Sequence, residues 1–297
     1  MTMPPGCEEC CKRSGWISLS GNIALAVMLM VIGFISGSKA VMGIALYSVK
    51  DALSSAVALI GMNVSGRPAD SKHPYGHGKG EFLATFIITI LISIGTFFVF
   101  VHSMKDVIMI IKGVPIHAPK FIAFWGTLIS IAANYKLANY LECTGEKMNS
   151  PAILNSAKHN HSDAVSSVLV AASILGTKAG LYFLDPLVAV IEVLDLGRMI
   201  FIMFRDSMRG LMDVSPGKEF IEAVRKAVVI VPGVKGVKKV HARNLGRNVW
   251  VDLEIKVGKD MPLREGTKVM EDVRTILFRR FSNLADIQIH LEPYNPV

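Results

Sequence analysis

Long apolar stretches alternate with short polar segments through the first two thirds of the chain. The stretches 15–37 and 82–104 contain no Asp, Glu, Lys or Arg, and 41–64 is broken only by Lys50 and Asp51. At 1.5 Å per residue, a helix of this length crosses a hydrocarbon core about 30 Å thick. Three further apolar stretches follow, at 121–140, 153–177 and 186–204. The pattern therefore predicts six transmembrane helices.

The end of the chain has the pattern of hydrophobic and polar residues that is typical of a small water-exposed domain, with short helices and strands. Helical spacing over 219–229 is followed by two stretches that alternate like strands, at 237–243 and 249–257. A charged amphipathic helix at 262–281 and a final strand at 287–291 complete an α-β-β-α-β order. That order predicts a two-layer α+β domain with its helices on one face of the sheet.

The density of charged side chains changes at the same place. Residues 1–213 hold 17 basic and 14 acidic side chains, whereas residues 214–297 hold 15 basic and 10 acidic ones. The density doubles across Ser215, Pro216 and Gly217, which predict a turn. A low density suits a membrane domain and a higher one suits a water-exposed domain. We therefore expect a transmembrane domain over 1–213 and a cytoplasmic domain over 214–297.

Composition narrows the class of protein further. Hydrophobic residues make up 51% of the chain and charged residues only 19%, where an ordinary soluble domain carries about 25% charged residues. These values exclude a disordered or collagen-like chain and argue against a soluble enzyme. The net charge of +8 gives no case for a nucleic-acid partner, because the tail nets only +5 and contains no nucleic-acid motif.

Six spans place both termini on the same side of the membrane. The basic side chains are more numerous on that side, which makes it the cytoplasm by the positive-inside rule. Thiols stay reduced there, in agreement with the positions of Cys7, Cys10, Cys11 and Cys143. A metal clip made of the first three cysteines is one interpretation, and free thiols at a chain end are the favoured one.

Two pairs of polar residues interrupt the predicted spans at helical spacing. Tyr47 and Asp51 lie four residues apart in the second span, as do His159 and Asp163 in the fifth. Residues four apart share one helical face, so two facing helices would bring all four side chains to one point. A phenol, two carboxylates and an imidazole form a ligand set for iron, zinc, cobalt or manganese. Taken alone, Tyr47 is more typical of a packing aromatic.

Other charged residues in the predicted spans have simpler interpretations than metal binding. Asp51 could pair with Lys50, but adjacent helical residues point apart, and we discount that pair. Glu192, Asp195 and Arg198 in the sixth span are spaced by three, which favours an intrahelical ladder of ion pairs over a second transport site. An interface between protomers is a further interpretation of this segment.

The loop after the second span has the composition of a metal-binding turn. Asp70, His73 and His77 have the spacing of metal ligands, and the nearby glycines let the backbone fold around an ion. A structural turn with surface histidines explains the same spacing equally well.

The tail offers a further set of metal-ligand candidates. Trp250 and Asp252 alternate on one strand, while His241 and His290 lie on the strands expected beside it. A carboxylate and imidazoles on neighbouring strands are able to bind a cation, although ordinary surface residues on a sheet are the simpler interpretation.

Several motifs resemble those of the cation diffusion facilitator family, and the resemblance covers nearly the whole chain. The runs RPADSKHPYGHG and HPYGHGKGEF in the loop are highly specific to that family. The runs ALYSVKDALSS and AKHNHSDAVSS are similar, more narrowly, to its magnetosome branch, which includes iron transporters of magnetotactic bacteria.

The resemblance implies a fold, sites and an activity. It implies a ferredoxin-like, metallochaperone-like tail that forms a V-shaped homodimer and senses metal. It assigns Tyr47, Asp51, His159 and Asp163 to the transport site. It assigns the loop site to Asp70, His73 and His77. It assigns the tail site to Trp250, Asp252 and His290. Members are not enzymes but secondary active transporters that exchange a divalent cation for protons.

Tyr47 is a departure that bears on the choice of metal. Zinc and manganese members place His or Asp at this position, and a neutral phenol is a poor ligand. We therefore expect Fe(II), carried from the cytoplasm into the magnetosome lumen. A zinc or manganese exporter in the cytoplasmic membrane is the alternative within the family. A non-transporting magnetosome scaffold is the alternative from another class, and a heteromer with another magnetosome member is a further expected partnership.

Overall fold

The computed structural model describes residues 7–64, 70–114, 118–147, 151–246 and 248–294. The side chains of residues 7–12, 58, 60–64 and 151–152 lie outside the described part, so the cysteine clip expected at Cys7, Cys10 and Cys11 lies outside it, as does Arg67 of the loop motif. The chain divides into two compact units, one formed by residues 1–60 and 85–204 and the other by residues 61–84 and 205–297.

Long helices make up the part of the chain for which transmembrane spans were predicted. The described residues form α1 (Cys7–Ser36), α2 (Lys39–Val64), α3 (Gly80–Ile111), α4 (Ile122–Lys147), α5 (Pro151–Lys178) and α6 (Leu184–Leu211). Most of them extend beyond the predicted spans, because apolar patterning marks only the lipid-facing length and a helix continues into water. By length and hydropathy, Arg13–Ser36, Lys39–Val57 and Gly80–Ile111 suffice to cross a membrane.

Large apolar side chains remain on the outside of this helical unit. Phe34 on α1, Phe97 on α3 and Trp125 on α4 are each more than half exposed. Apolar exposure on this scale suits a lipid environment rather than water. The membrane α-helical class is therefore confirmed.

Helix α2 lies at the centre of the helical unit. Its buried residues Val41 and Ile44 pack with Leu29 of α1 and with Val170 of α5. One turn further along, Leu46 and Tyr47 pack with α3 and α6 through Ile92, Val99, Val193 and Leu196. The polar residues of α2 therefore lie among apolar neighbours from several other helices.

A carboxylate of α6 fixes the beginning of α2. Ser38 Oγ donates a hydrogen bond to Asp185 Oδ1 at 2.5 Å, and the backbone N–H of Lys39 donates to Asp185 Oδ2 at 2.9 Å. The first N–H groups of a helix have no partner within it, so a carboxylate there satisfies them and complements the helix dipole. Asp185 is buried and acts as an N-cap supplied by a distant part of the chain.

The tail forms the predicted two-layer unit. It consists of α7 (Lys218–Val229), β1 (Gly236–Leu245), β2 (Asn248–Val257), α8 (Leu263–Arg280) and β3 (Leu284–Pro293). The strand order is β1-β2-β3, with β1 antiparallel and β3 parallel to β2. Alternate residues of β2, from Val249 to Val257, are buried against Val224 of α7 and Val273 of α8. The α-β-β-α-β prediction is confirmed, and the other face of the sheet is left to polar residues.

We predict that Asp185→Ala destabilises the helical unit by about 1–3 kcal/mol, because it leaves buried donors at the start of α2 unsatisfied. Asp185→Asn keeps an acceptor oxygen and should cost less. Asp206→Ala is the matched control, since that exposed carboxylate contacts only Arg205 among the described residues. Thermal unfolding in detergent is the measurement, and an equal melting temperature for Asp185→Ala and Asp206→Ala would contradict the capping role.

Candidate metal-transport site

Helices α2 and α5 bring their acidic residues together. The carboxyl group of Asp163 on α5 lies against that of Asp51 on α2, and His159 is close enough to Asp51 to interact with it electrostatically. Both pairs lie four residues apart on a helix, so one face of each helix carries its pair. The structure therefore brings Asp51 and Asp163 together between two helices and places His159 within electrostatic range of Asp51.

Tyr47, the fourth predicted ligand, is directed towards α6. Its hydroxyl donates to the carboxylate oxygen Oδ2 of Asp195 at 2.9 Å and lies 3.0 Å from the backbone carbonyl of Glu192. Tyr47 is buried, and both acceptors hold its proton on the α6 side. The phenol is thus a neutral hydrogen-bond donor, and only its remaining lone pairs are free for a metal ion.

The predicted ion-pair ladder on α6 is wrong. Asp195 accepts from Tyr47, Glu192 is buried beside Ser166, and neither carboxylate pairs with Arg198 among the described residues. Spacing by three permits such pairs, but an acidic side chain at a helix interface gains more from a buried donor of a neighbouring helix. Glu192 and Asp195 therefore extend the transmembrane cluster onto α6.

Lys50 also belongs to the cluster, contrary to expectation. Its Nζ lies 2.8 Å from Asp51 Oδ1 and 5.6 Å from the centre of the Tyr47 ring. The expectation that Lys50 and Asp51 do not pair is wrong. Their Cβ atoms point apart, but a lysine side chain is long enough to reach the neighbouring carboxylate. Four methylene groups let the ammonium bend back over the helix surface to the neighbouring carboxylate.

The loop after α2 brings Asp70, His73 and His77 into one compact group. Each offers one ligand atom, and these atoms all lie within 4.8 Å of one another. The backbone N–H of His73 donates to Asp70 at 2.6 Å, and this bond is the main reason that the pKa of Asp70 lies below its usual value. His77 Nδ1 is buried without a partner among the described residues. In the described part of the chain, no other three acidic, His or Cys side chains meet so closely.

The same loop packs on the β1–β2 hairpin of the tail. The Tyr75 ring meets the Trp250 ring edge-on at 5.4 Å, and the Arg243 guanidinium lies 5.4 Å from the first ring and 5.7 Å from the second. Cation–π contacts of this kind are attractive. Asp213 joins the arrangement by pairing with Arg243 at 3.8 Å and with Lys79 at 3.0 Å. The loop is therefore fastened to the tail close to its histidines.

The predicted tail ligands lie on the open face of the sheet. Trp250 donates from its indole N–H to Asp252 Oδ1 at 2.8 Å, and Asp252 is the cross-strand partner of His241. His290 is paired with Glu254, two residues along β2. An indole nitrogen has no lone pair for a metal, so Trp250 orients Asp252 rather than binding an ion itself.

Two family models account for nearly all of the chain. The cation efflux transmembrane domain matches residues 15–212, and the cytoplasmic domain of the cation efflux protein matches residues 216–294. The chain belongs to the cation efflux, or cation diffusion facilitator, family. The resemblance inferred from the loop and helix motifs is thereby confirmed.

Relatives of this cation efflux protein carry several names. Magnetosome protein MamM of Magnetospirillum gryphiswaldense is 33% identical over 97% of this chain and 90% of its own. Magnetosome protein MamB of Paramagnetospirillum magneticum is 27% identical over 97% of this chain and 96% of its own. The manganese efflux system protein MneP of Bacillus subtilis is 26% identical over 97% of both chains. The chain is a metal transporter of this family, and of these three names only that of MneP specifies a metal.

We predict that Arg243→Ala loosens the loop of the cation efflux protein, because it removes two cation–π contacts and the ion pair with Asp213. Amide hydrogen exchange of residues 70–80 should become faster. Arg274→Ala is the matched control, since Arg274 makes a similar ion pair with Asp286 and a cation–π contact with Phe278 elsewhere in the tail. Unchanged exchange in Arg243→Ala, or an equal change in Arg274→Ala, would count against the fastening.

Proposed function

We propose that this chain is a proton-coupled antiporter that moves Fe(II) from the cytoplasm into the magnetosome lumen. The observation that carries the proposal is the meeting of Asp51 and Asp163 between two helices that lie among apolar neighbours. Carboxylates are costly inside a membrane and by default mark a pathway for ions or protons. Together with His159, which is within electrostatic range of Asp51, they offer oxygen and nitrogen ligands that suit a borderline divalent ion.

Proton coupling follows from the chemistry of these ligands. A carboxylate or an imidazole binds a metal ion only when it has lost its proton, so metal binding and protonation compete. Asp51, Asp163 and neutral His159 capture the ion on the cytoplasmic side. Protons from the other side then displace it, and the protonated site returns. An imidazole suits this exchange because it changes its protonation state near neutral pH.

The hydrogen bonds of Tyr47 support iron over zinc. A closed tetrahedral zinc site takes four good ligands from the protein, usually His, Cys, Asp or Glu. The neutral phenol of Tyr47 gives its proton to α6 and is a weak fourth ligand, which leaves two carboxylates and one imidazole. The identity of 33% and 27% to two proteins named for the magnetosome supports the magnetosome membrane as the location.

The tail and the loop serve as cytoplasmic metal sites in this proposal. Asp70, His73 and His77 hold an ion that has yet to enter the transport site. Asp252 with His241 or His290 binds metal on the open face of the tail sheet, with Trp250 as the orienting residue. A second copy of the chain completes this tail site, and the termini are cytoplasmic. A heteromer with another magnetosome member of the family would use the same surface.

We predict that full-length protein in vesicles takes up Fe(II) when a proton gradient is imposed. Asp51→Ala should reduce the uptake more than about tenfold, because even loss of a residue that only supports a metal ligand typically costs about 10–100-fold. Zinc and manganese uptake are measured in parallel, and Asp206→Ala is the control that should transport normally. Uptake of zinc or manganese above that of iron would favour the exporter alternative. Absence of uptake for all three metals would favour a scaffold.

We predict that Fe(II), added without oxygen, strengthens the dimer of the full-length protein in detergent. The double variant Asp252→Ala, His290→Ala should lose this effect, while Gln288→Ala should keep it, because Gln288 is the exposed β3 partner of Asp252 and is a weak metal ligand. The dimer dissociation constant from sedimentation is the measurement. A wild-type constant that does not respond to the metal would rule out metal sensing by the tail.

A further inference from the structure

Lys50 places a positive charge within the transmembrane cluster. It lies on α2 between Tyr47 and Asp51, and only 4% of its side chain is exposed. A lysine on the lipid side would extend its amine to the membrane surface, and one buried without a partner would be very costly. Here the ammonium is held inside by the Asp51 carboxylate at 2.8 Å.

The position of this ammonium conflicts with that of a bound cation. It contacts the carboxylate oxygen Oδ1 of Asp51, and it is also close enough to Asp163 and His159 to interact with both electrostatically. A divalent ion bound by Asp51 and Asp163 would lie a few ångströms from Nζ. At that separation in a poorly solvated site, repulsion between like charges is strong. The ammonium and the metal ion therefore cannot share Asp51 in this geometry.

We infer that Lys50 is a specificity-determining residue of the transport site, whose ammonium is a tethered counter-ion that an incoming divalent cation must displace from Asp51. The inference rests on the proposed function. Lys50 would then have two effects on the transport site. It lowers the affinity of the site for a metal ion, and it makes the site prefer doubly charged ions over singly charged ones. A singly charged ion gains no more from Asp51 than the tethered ammonium does, whereas a doubly charged ion does.

The ammonium has a second partner besides Asp51. The ring of Tyr47 lies 5.6 Å from Nζ, within the range of a cation–π contact, while Nζ is paired with Asp51. Four rotatable bonds let the ammonium keep this contact when a metal ion takes the Asp51 carboxylate. Tyr47 thus has a role through its ring that does not need its phenol oxygen to bind the metal.

Equilibrium binding of Co(II) to the full-length protein in lipid nanodiscs tests the inference, with visible absorption of the bound ion as the readout. Binding that is lost in Asp51→Asn defines the transport site. At this site Lys50→Met should lower the Kd by at least about tenfold, because the competing charge is gone. Lys50→Arg should raise it or leave it unchanged, because a guanidinium pairs with a carboxylate through two hydrogen bonds.

The charge-matched control is Lys136→Met, since Lys136 is exposed on α4 and should leave the Kd unchanged. In the Asp51→Asn background, Lys50→Met should have no further effect. An unchanged or higher Kd in Lys50→Met with a wild-type cobalt spectrum overturns the inference, as does a shift of both Lys50 variants in the same direction. If Lys50→Met does not fold, Lys50→Gln and Lys50→Arg supply the same opposed comparison.

A second readout separates this inference from the proposed function. If Asp51→Asn leaves Co(II) binding unaltered, the transport site itself is wrongly assigned. If Asp51→Asn abolishes the site but no Lys50 variant changes the Kd, only the role of Lys50 fails. Sodium chloride should compete with Co(II) more strongly in Lys50→Met than in the wild type, and equal competition in the two proteins would overturn the charge-selective part.

Discussion

The cost of keeping carboxylates among apolar helices governs the transmembrane half of this protein. Several acids among the described residues have a partner that offsets this cost: Asp51 has Lys50, Asp185 has the start of α2, and Glu192 has Ser166. These partners come from the same or neighbouring helices, so they also fix how the helices face one another. The acidic side chains that attract a cation to the membrane site therefore also help, through their partners, to hold the helices in place.

The fold follows closely from the sequence. Apolar stretches long enough to cross a bilayer predict the helices, and alternation with period two predicts the strands of the tail. Helix ends were less accurate, as for α3, where the apolar stretch ends at Met104 and the helix at Ile111. Hydropathy reports where lipid is in contact with the chain, whereas helix ends depend on capping groups and loops that carry no such pattern.

The candidate site was only partly predictable, because spacing along one helix defines a face but not its neighbour. The pairs on α2 and α5 and the histidines of the loop are close in sequence, and the structure places each group together. The contact of Tyr47 with Asp195 joins residues 148 positions apart. No local pattern contains that partner, and the same holds for Tyr75 on Trp250. Lys50 was missed for another reason, since its reach exceeds what the direction of its Cβ suggests.

The attachment of α2 to α6 also limits how the transmembrane unit can move. Asp185 holds the first turn of α2, and Asp195 holds Tyr47 further along, so two separate bonds tie these helices into one rigid pair. Helix α5 meets α2 through apolar side chains, among them Val170 and Ile174. Apolar contacts have no fixed direction, whereas the hydrogen bonds between α2 and α6 do. A motion that parts Asp51 from Asp163 would therefore shift α5 along its apolar contact with α2 and leave the α2–α6 pair intact.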